Sequence, residues 1–150
     1  MNSQKQKILL SDFKFKSFDK LRYGDTDRQG HVNNVMFLRF YETNRCELLY
    51  SQDKKFHDIN GAFVIAQASL DFLKEIFWPG NVEIGLNITK IGRTSITFEQ
   101  AIFQDKVLVS KSTSVIVHID TETKRPKALS ELQKKHLKCS FINFGFFIFN

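Results

Sequence analysis

The chain has 150 residues, of which 42% are hydrophobic and 25% charged, the proportions of an ordinary globular protein. This length predicts one domain over residues 1–150, with a core from about 8 to 130 and a C-terminal helix and apolar tail over 131–150. The net charge of +6 favours polyanionic partners, but the basic residues form no compact run, which argues against nucleic acid.

The cysteines and the apolar segments suggest where the protein works. The two cysteines, Cys46 and Cys139, are far apart, so neither a disulfide framework nor a zinc site is expected. We therefore predict a cytoplasmic protein with no bound metal. No segment has the ~20 apolar residues that a membrane-spanning helix needs, so we predict no transmembrane segment.

In chain order, residues 8–24 alternate like a strand, residues 25–33 form a polar loop, and Val35–Tyr50 is apolar enough for a buried helix. Either Asn33 or Asn34 suits the cap of that helix. A polar loop over 51–61 follows. Beyond it the patterns predict four strands and then a short surface helix, over 62–76, 81–91, 95–103, 107–119 and 129–137.

This order of elements predicts the fold class. Strands joined by short turns are antiparallel, and a single apolar helix is expected to pack on one face of their sheet. The prediction is an α+β fold in which a curved antiparallel sheet wraps around one long central helix. The exposed sheet edge favours pairing between subunits. The 16 Phe residues would fill this core or line a cavity for an apolar ligand.

The polar loop holds the candidate chemistry. Asp27 is a carboxylate a few residues before a helix, whose first N–H groups are free to stabilise an oxyanion. Gly30 permits close backbone approach. Acyl transfer needs an acid and an oxyanion hole on either side of an acyl carbon. The alternative is a structural loop in which the Asp residues only cap turns, a role that Asp25 fits better than Asp27.

The segment Arg22–Asn34, RYGDTDRQGHVNN, together with Phe37, Phe40, Glu42 and Arg45, resembles the signature of the 4-hydroxybenzoyl-CoA thioesterase group of hotdog-fold proteins. That group includes bacterial acyl-CoA thioesterases. The resemblance covers residues 13–130 and includes the turn at 77–84 and the segment 91–95.

The resemblance implies a set of site residues. Asp27 corresponds to the catalytic carboxylate, as base or nucleophile, and the N–H of Asn34 to the group that polarises the thioester carbonyl. His31 is a candidate to orient water or bind the thioester. Gln29 replaces the Asn of the plant relatives. Coenzyme A phosphates would bind at Arg93, with Thr94 and Ser95 beside it.

The expected function is hydrolysis of acyl-CoA to free acid and coenzyme A, without a cofactor, in a homodimer or homotetramer. The acyl chain would enter between sheet and helix. Acyl carrier protein as the carrier, or a module that binds acyl thioesters without hydrolysis, are the alternatives. Residues outside the site carry further expectations: Glu42 would pair with Arg39 or Arg45 or brace the loop, and Cys46 would be a packing residue. The Phe-rich tail over 140–150 has no counterpart in the family.

Overall fold

The computed structural model describes residues 7–50 and 58–143, with side chains of the last helix as far as Cys139. It contains one antiparallel sheet of five strands, in the spatial order β1-β3-β4-β5-β2. The strands are β1 (Phe15–Lys20), β2 (Gly61–Phe72), β3 (Asn81–Ile91), β4 (Ser95–Gln104) and β5 (Val107–Asp120). The helices are α1 (Asn34–Tyr50) and α2 (Glu131–Asn143).

The predicted α+β class and the antiparallel pairing of all five strands are confirmed. Helix α1 packs on one face of the sheet because its apolar side chains cannot be left in water. Phe37, Phe40 and Tyr41 are at most 2% exposed and meet core residues of the strands such as Ile84 and Ile102. Hydrophobic burial on this face therefore holds helix and sheet together.

Two strands are shorter in the structure than the sequence predicts. The segment 8–24 forms a strand only over Phe15–Lys20, flanked by 3-10 turns at Leu10–Asp12 and Tyr23–Asp25. In each turn the terminal Asp carboxylate accepts the N–H three residues earlier, at Leu9 and Arg22, and such local bonds compete with strand pairing. The strand predicted over 62–76 ends at Phe72, where Leu73 and Lys74 both donate to the carbonyl of Val109.

Helix α2 begins at Glu131 and extends to Asn143, further than predicted. A surface helix was expected, but α2 also contributes to the core: Leu137 is fully buried in one hydrophobic cluster with Leu129. The predicted loop at 51–61 lies mostly outside the described residues, as does the end of the Phe-rich tail. The domain core thus reaches past residue 130 into α2.

A buried polar network fixes α1 on the sheet. The Gln100 amide on β4 donates to the Asn44 Oδ1 at 2.7 Å and to the Tyr41 carbonyl at 3.0 Å. Asn44 in turn donates to Ser17 on β1 at 2.8 Å, and Arg45 donates to the Gln100 Oε1 at 3.0 Å. Buried polar groups of this kind are costly unless paired, so the network allows α1 one rotation and one position along the sheet.

The structure corrects the expectation for Cys46, which is exposed on α1 rather than packed. Glu42 is also exposed; of the two arginines expected as its partners, Arg45 is buried and donates to Gln100. Burial lowers the pKa of the Arg45 guanidinium from its usual range. Within the described residues, no helix has the length and apolar character to cross a membrane.

On the face of the sheet away from α1, Phe13 packs directly against Gly85. A Cβ at this position would lie 2.4 Å from the Cγ of Phe13, which is 8% exposed. We expect Gly85→Ala to lower the free energy of unfolding by about 1–3 kcal/mol through overpacking, measured by urea denaturation. Gly24→Ala is the control, because nothing lies within 4 Å of its added Cβ. Equal stability of both variants would contradict this packing.

Candidate active site

The polar loop between β1 and α1 is a compact hydrogen-bonded turn. The Asp27 N–H donates to the His31 carbonyl and the Gly30 N–H donates to the Asp27 carbonyl, both at 3.0 Å. Gly30 has a φ of +86°, a conformation that side chains with a Cβ rarely adopt. The turn thus depends on Gly30, and it brings Asp27 and His31 to the same side.

Backbone bonds anchor this turn to two other segments. The Val32 N–H donates to the Ile76 carbonyl at 2.8 Å, and the Asn33 N–H donates to the Asp25 carbonyl at 2.9 Å. Asp25 is only 7% exposed, and its carboxylate accepts the Arg22 N–H at 2.8 Å. Asp25 therefore shapes the loop, as its position in the sequence indicated.

The cap of α1 leaves one backbone donor free. Asn33 is the capping residue, since its Oδ1 accepts the Val35 N–H at 3.0 Å and its carbonyl accepts the Met36 N–H at 2.9 Å. Among the described residues, the Asn34 N–H has no hydrogen-bond acceptor. A free N–H at a helix N-terminus is suited to bind a negatively charged oxygen.

His31 lies between two carboxylates. Its Nδ1 is 3.7 Å from the Asp27 Oδ2, and its Nε2 is 3.8 Å from the Glu75 Oε1. The Asp27 side chain is 25% exposed, and its Oδ1 accepts the Gln29 N–H at 2.8 Å. Sequence reasoning missed Glu75, because nothing in its local pattern separates it from an ordinary exposed acid near the end of the strand predicted over 62–76.

A pocket of about 230 Å³ opens at the start of α1. Its lining includes the two candidate residues His31 and Asn34; Asp27 does not line it and lies 3.7 Å from the His31 ring. The remaining lining side chains are apolar or charged: Val32, Phe37, Phe72, Leu73, Lys74 and Glu75. A wider groove of about 620 Å³ lies between β1 and α1 and contains none of Asp27, His31 and Asn34.

Arg93, Thr94 and Ser95 lie at the opposite end of the sheet. Arg93 and Thr94 lie in the turn between β3 and β4, and Ser95 begins β4, whereas Phe72 and the loop at 25–33 adjoin the other end of the strands. Ile102, which is level with the Asp27 end, is seven residue steps along β4 from Ser95. At about 3.3 Å per residue this is roughly 23 Å. One chain alone therefore does not bring Arg93 beside Asp27.

The model of the thioesterase-like superfamily matches residues 21–137. The chain belongs to this superfamily. The acyl-CoA thioester hydrolase YbgC of Escherichia coli O6:H1 is 28% identical over 115 residues, which cover 73% of this chain and 85% of that protein. The family and the hotdog fold predicted from the loop motif are thus confirmed.

Solved structures agree with the fold. A thioesterase of Thermus thermophilus, complexed with coenzyme A and Zn, is 26% identical, with a TM-score of 0.74 and coverage of 86% of this chain and 95% of that one. A Pseudomonas aeruginosa protein of 24% identity has a TM-score of 0.79, covering 87% and 94% of the two chains. In the described part of this chain, no three His, Cys, Asp or Glu side chains form a group that could hold a metal ion.

Proposed function

We propose that this protein is a thioester hydrolase that cleaves acyl-CoA to a free acid and coenzyme A. The observation that carries the proposal is the free Asn34 N–H in the pocket that His31 also lines, with the Asp27 carboxylate 3.7 Å from the His31 ring. The superfamily match over 21–137 and the likeness to an acyl-CoA thioester hydrolase support the same chemistry.

In the proposed reaction, a water molecule attacks the thioester carbonyl, and the Asp27 carboxylate accepts its proton directly or through His31. The oxyanion that forms on the carbonyl oxygen accepts a hydrogen bond from the Asn34 N–H. The carbon–sulfur bond then breaks, and the thiolate of coenzyme A takes up a proton. Since His31 lines the pocket and Asp27 lies behind it, this geometry supports a general base more than a nucleophile.

The first prediction concerns Asp27. Replacing it with Asn keeps the shape of the side chain but removes the base, so Asp27→Asn should lower kcat for acyl-CoA by about 10²–10⁴. Release of free thiol measures the rate. Asp105→Asn is the matched control, because Asp105 lies in the β4–β5 turn at a φ of 49° that Asn tolerates. Full activity of the Asp27 variant would rule out its role.

The second prediction separates the backbone of Asn34 from its side chain. Proline lacks the N–H yet is favoured at the first position of a helix, which Asn34 occupies. Asn34→Pro should therefore fold while losing about 10²–10³ in kcat. Asn34→Ala retains the N–H and should keep kcat within a few-fold. If both variants lose activity equally, the oxyanion donor is not this amide.

We propose a homodimer in which coenzyme A spans two subunits. Strand β2 lies at the sheet edge, and its side chains Val64 and Ile65 are 41% and 52% exposed. Antiparallel pairing of β2 with its own copy would place the Gly61 end of one subunit next to the Phe72 end of the other. Since Arg93 shares the Gly61 end, it would approach the partner's catalytic loop.

Three exposed cationic side chains at that end, which also holds the acids Asp120 and Glu122, support phosphate binding. Arg93, Lys124 and Arg125 are all exposed there, and the Arg93 carbonyl accepts the Leu129 N–H, which holds the two segments together. In this proposal Arg93 binds coenzyme A phosphates, and the turn residues Thr94 and Ser95 position it.

The third prediction uses subunit mixing. Arg93→Ala should raise KM for acyl-CoA but not for an acyl-pantetheine, which lacks the nucleotide phosphates. Co-expressing Arg93→Ala with Asp27→Asn should restore activity at low substrate concentration, because hybrid dimers contain one site with both native residues. Lys135→Ala, an exposed substitution on α2, is the control. Absence of restoration in demonstrated hybrid dimers would refute the shared site.

A further inference from the structure

Two phenylalanines in contact with each other line the pocket at the start of α1. Phe37 of α1 and Phe72, the last residue of β2, meet edge to face, with ring centroids 5.1 Å apart and an interplanar angle of 76°. This is a favourable geometry for aromatic pairs. Phe37 is 2% exposed and belongs to the main core, whereas Phe72 is 54% exposed. Phe72 is thus the member that can be replaced without opening the core.

Behind this pair the helix–sheet interior is filled. The Tyr41 hydroxyl donates to the Ser110 Oγ at 2.8 Å, and both residues are fully buried. Burial raises the pKa of Tyr41 above its usual value, so the phenol remains a neutral donor. A long acyl chain cannot pass between α1 and the sheet here without displacing this bond and the core side chains around it.

The volume of the pocket limits what it can hold. A cavity of about 150 Å³ is enough for one benzene ring, and the pocket measures about 230 Å³. Its apolar lining by Val32, Phe37, Phe72 and Leu73 fits a single ring or a short alkyl chain. A long-chain fatty acyl group would extend beyond it.

We propose that Phe72 sets the acyl length of this enzyme, so that its substrates carry short or single-ring acyl groups. The inference rests on the proposed thioester hydrolysis and deepens it. Leu70 lies two residues before Phe72, on the same face of β2, and packs against the same core. Removing the Phe72 ring would therefore extend the apolar pocket along β2 toward Leu70.

The experiment compares kcat/KM for acetyl-, butyryl-, benzoyl-, octanoyl- and palmitoyl-CoA in the native protein, Phe72→Ala and Phe72→Leu. The native protein should prefer butyryl or benzoyl over octanoyl by at least about tenfold, since one methylene in an apolar pocket is worth about 10-fold or more. Phe72→Ala should raise the octanoyl-to-butyryl ratio by about tenfold, and Phe72→Leu by less. Phe18→Ala, at a 71% exposed Phe on β1, should leave the ratio unchanged.

Each outcome bears on a distinct claim. A native preference for palmitoyl-CoA would overturn the length limit, and an unchanged ratio in folded Phe72→Ala and Phe72→Leu would show that Phe72 does not set it. In both cases loss of activity in Asp27→Asn would leave the hydrolase assignment intact. If the native protein cleaves none of the five thioesters, the proposed function fails and this inference fails with it. Circular dichroism and thermal unfolding identify any variant that does not fold.

Discussion

The active-site geometry depends on how the start of α1 is held. Backbone bonds from Val32 to Ile76 and from Asn33 to Asp25 join the loop to the segment after β2 and to the turn after β1. These bonds and the Asn33 cap use the donors on either side of Asn34. Because buried donors must otherwise be paired or hydrated, the Asn34 N–H, which has no acceptor among the described residues, is available to a polar ligand.

The same constraint continues along α1 through its buried polar residues. Tyr41, Asn44 and Arg45 each bond to a sheet residue, at Ser110, Ser17 and Gln100. An apolar interface alone tolerates small rotations of a helix, but displaced polar groups would lose their partners in a low-dielectric interior. The network therefore keeps Phe37 against Phe72 and Asn34 at the pocket, so core packing and pocket shape are set together.

The candidate catalytic residues and the proposed phosphate-binding residues lie at opposite ends of the sheet, and the proposed substrate would contact both. Asp27, His31 and the free Asn34 N–H lie at one end of the sheet, and Arg93 lies at the other. Two subunits paired through β2 would bring the ends together around the substrate, with the cationic groups directed at the phosphates.

The sequence by itself determined the elements and the loop motif, because the alternation of strands, the apolar helix and the Gly30 turn are local properties of the chain. It also supplied the candidates Asp27, His31 and Asn34, which lie within eight residues of one another. It did not reveal the approach of Glu75 to His31, the contact between Phe37 and Phe72, or the placement of Arg93 and Asp27 at opposite ends of the sheet. Those features join residues distant in the chain, and only the pairing order of the strands and the packing of α1 decide which of them meet.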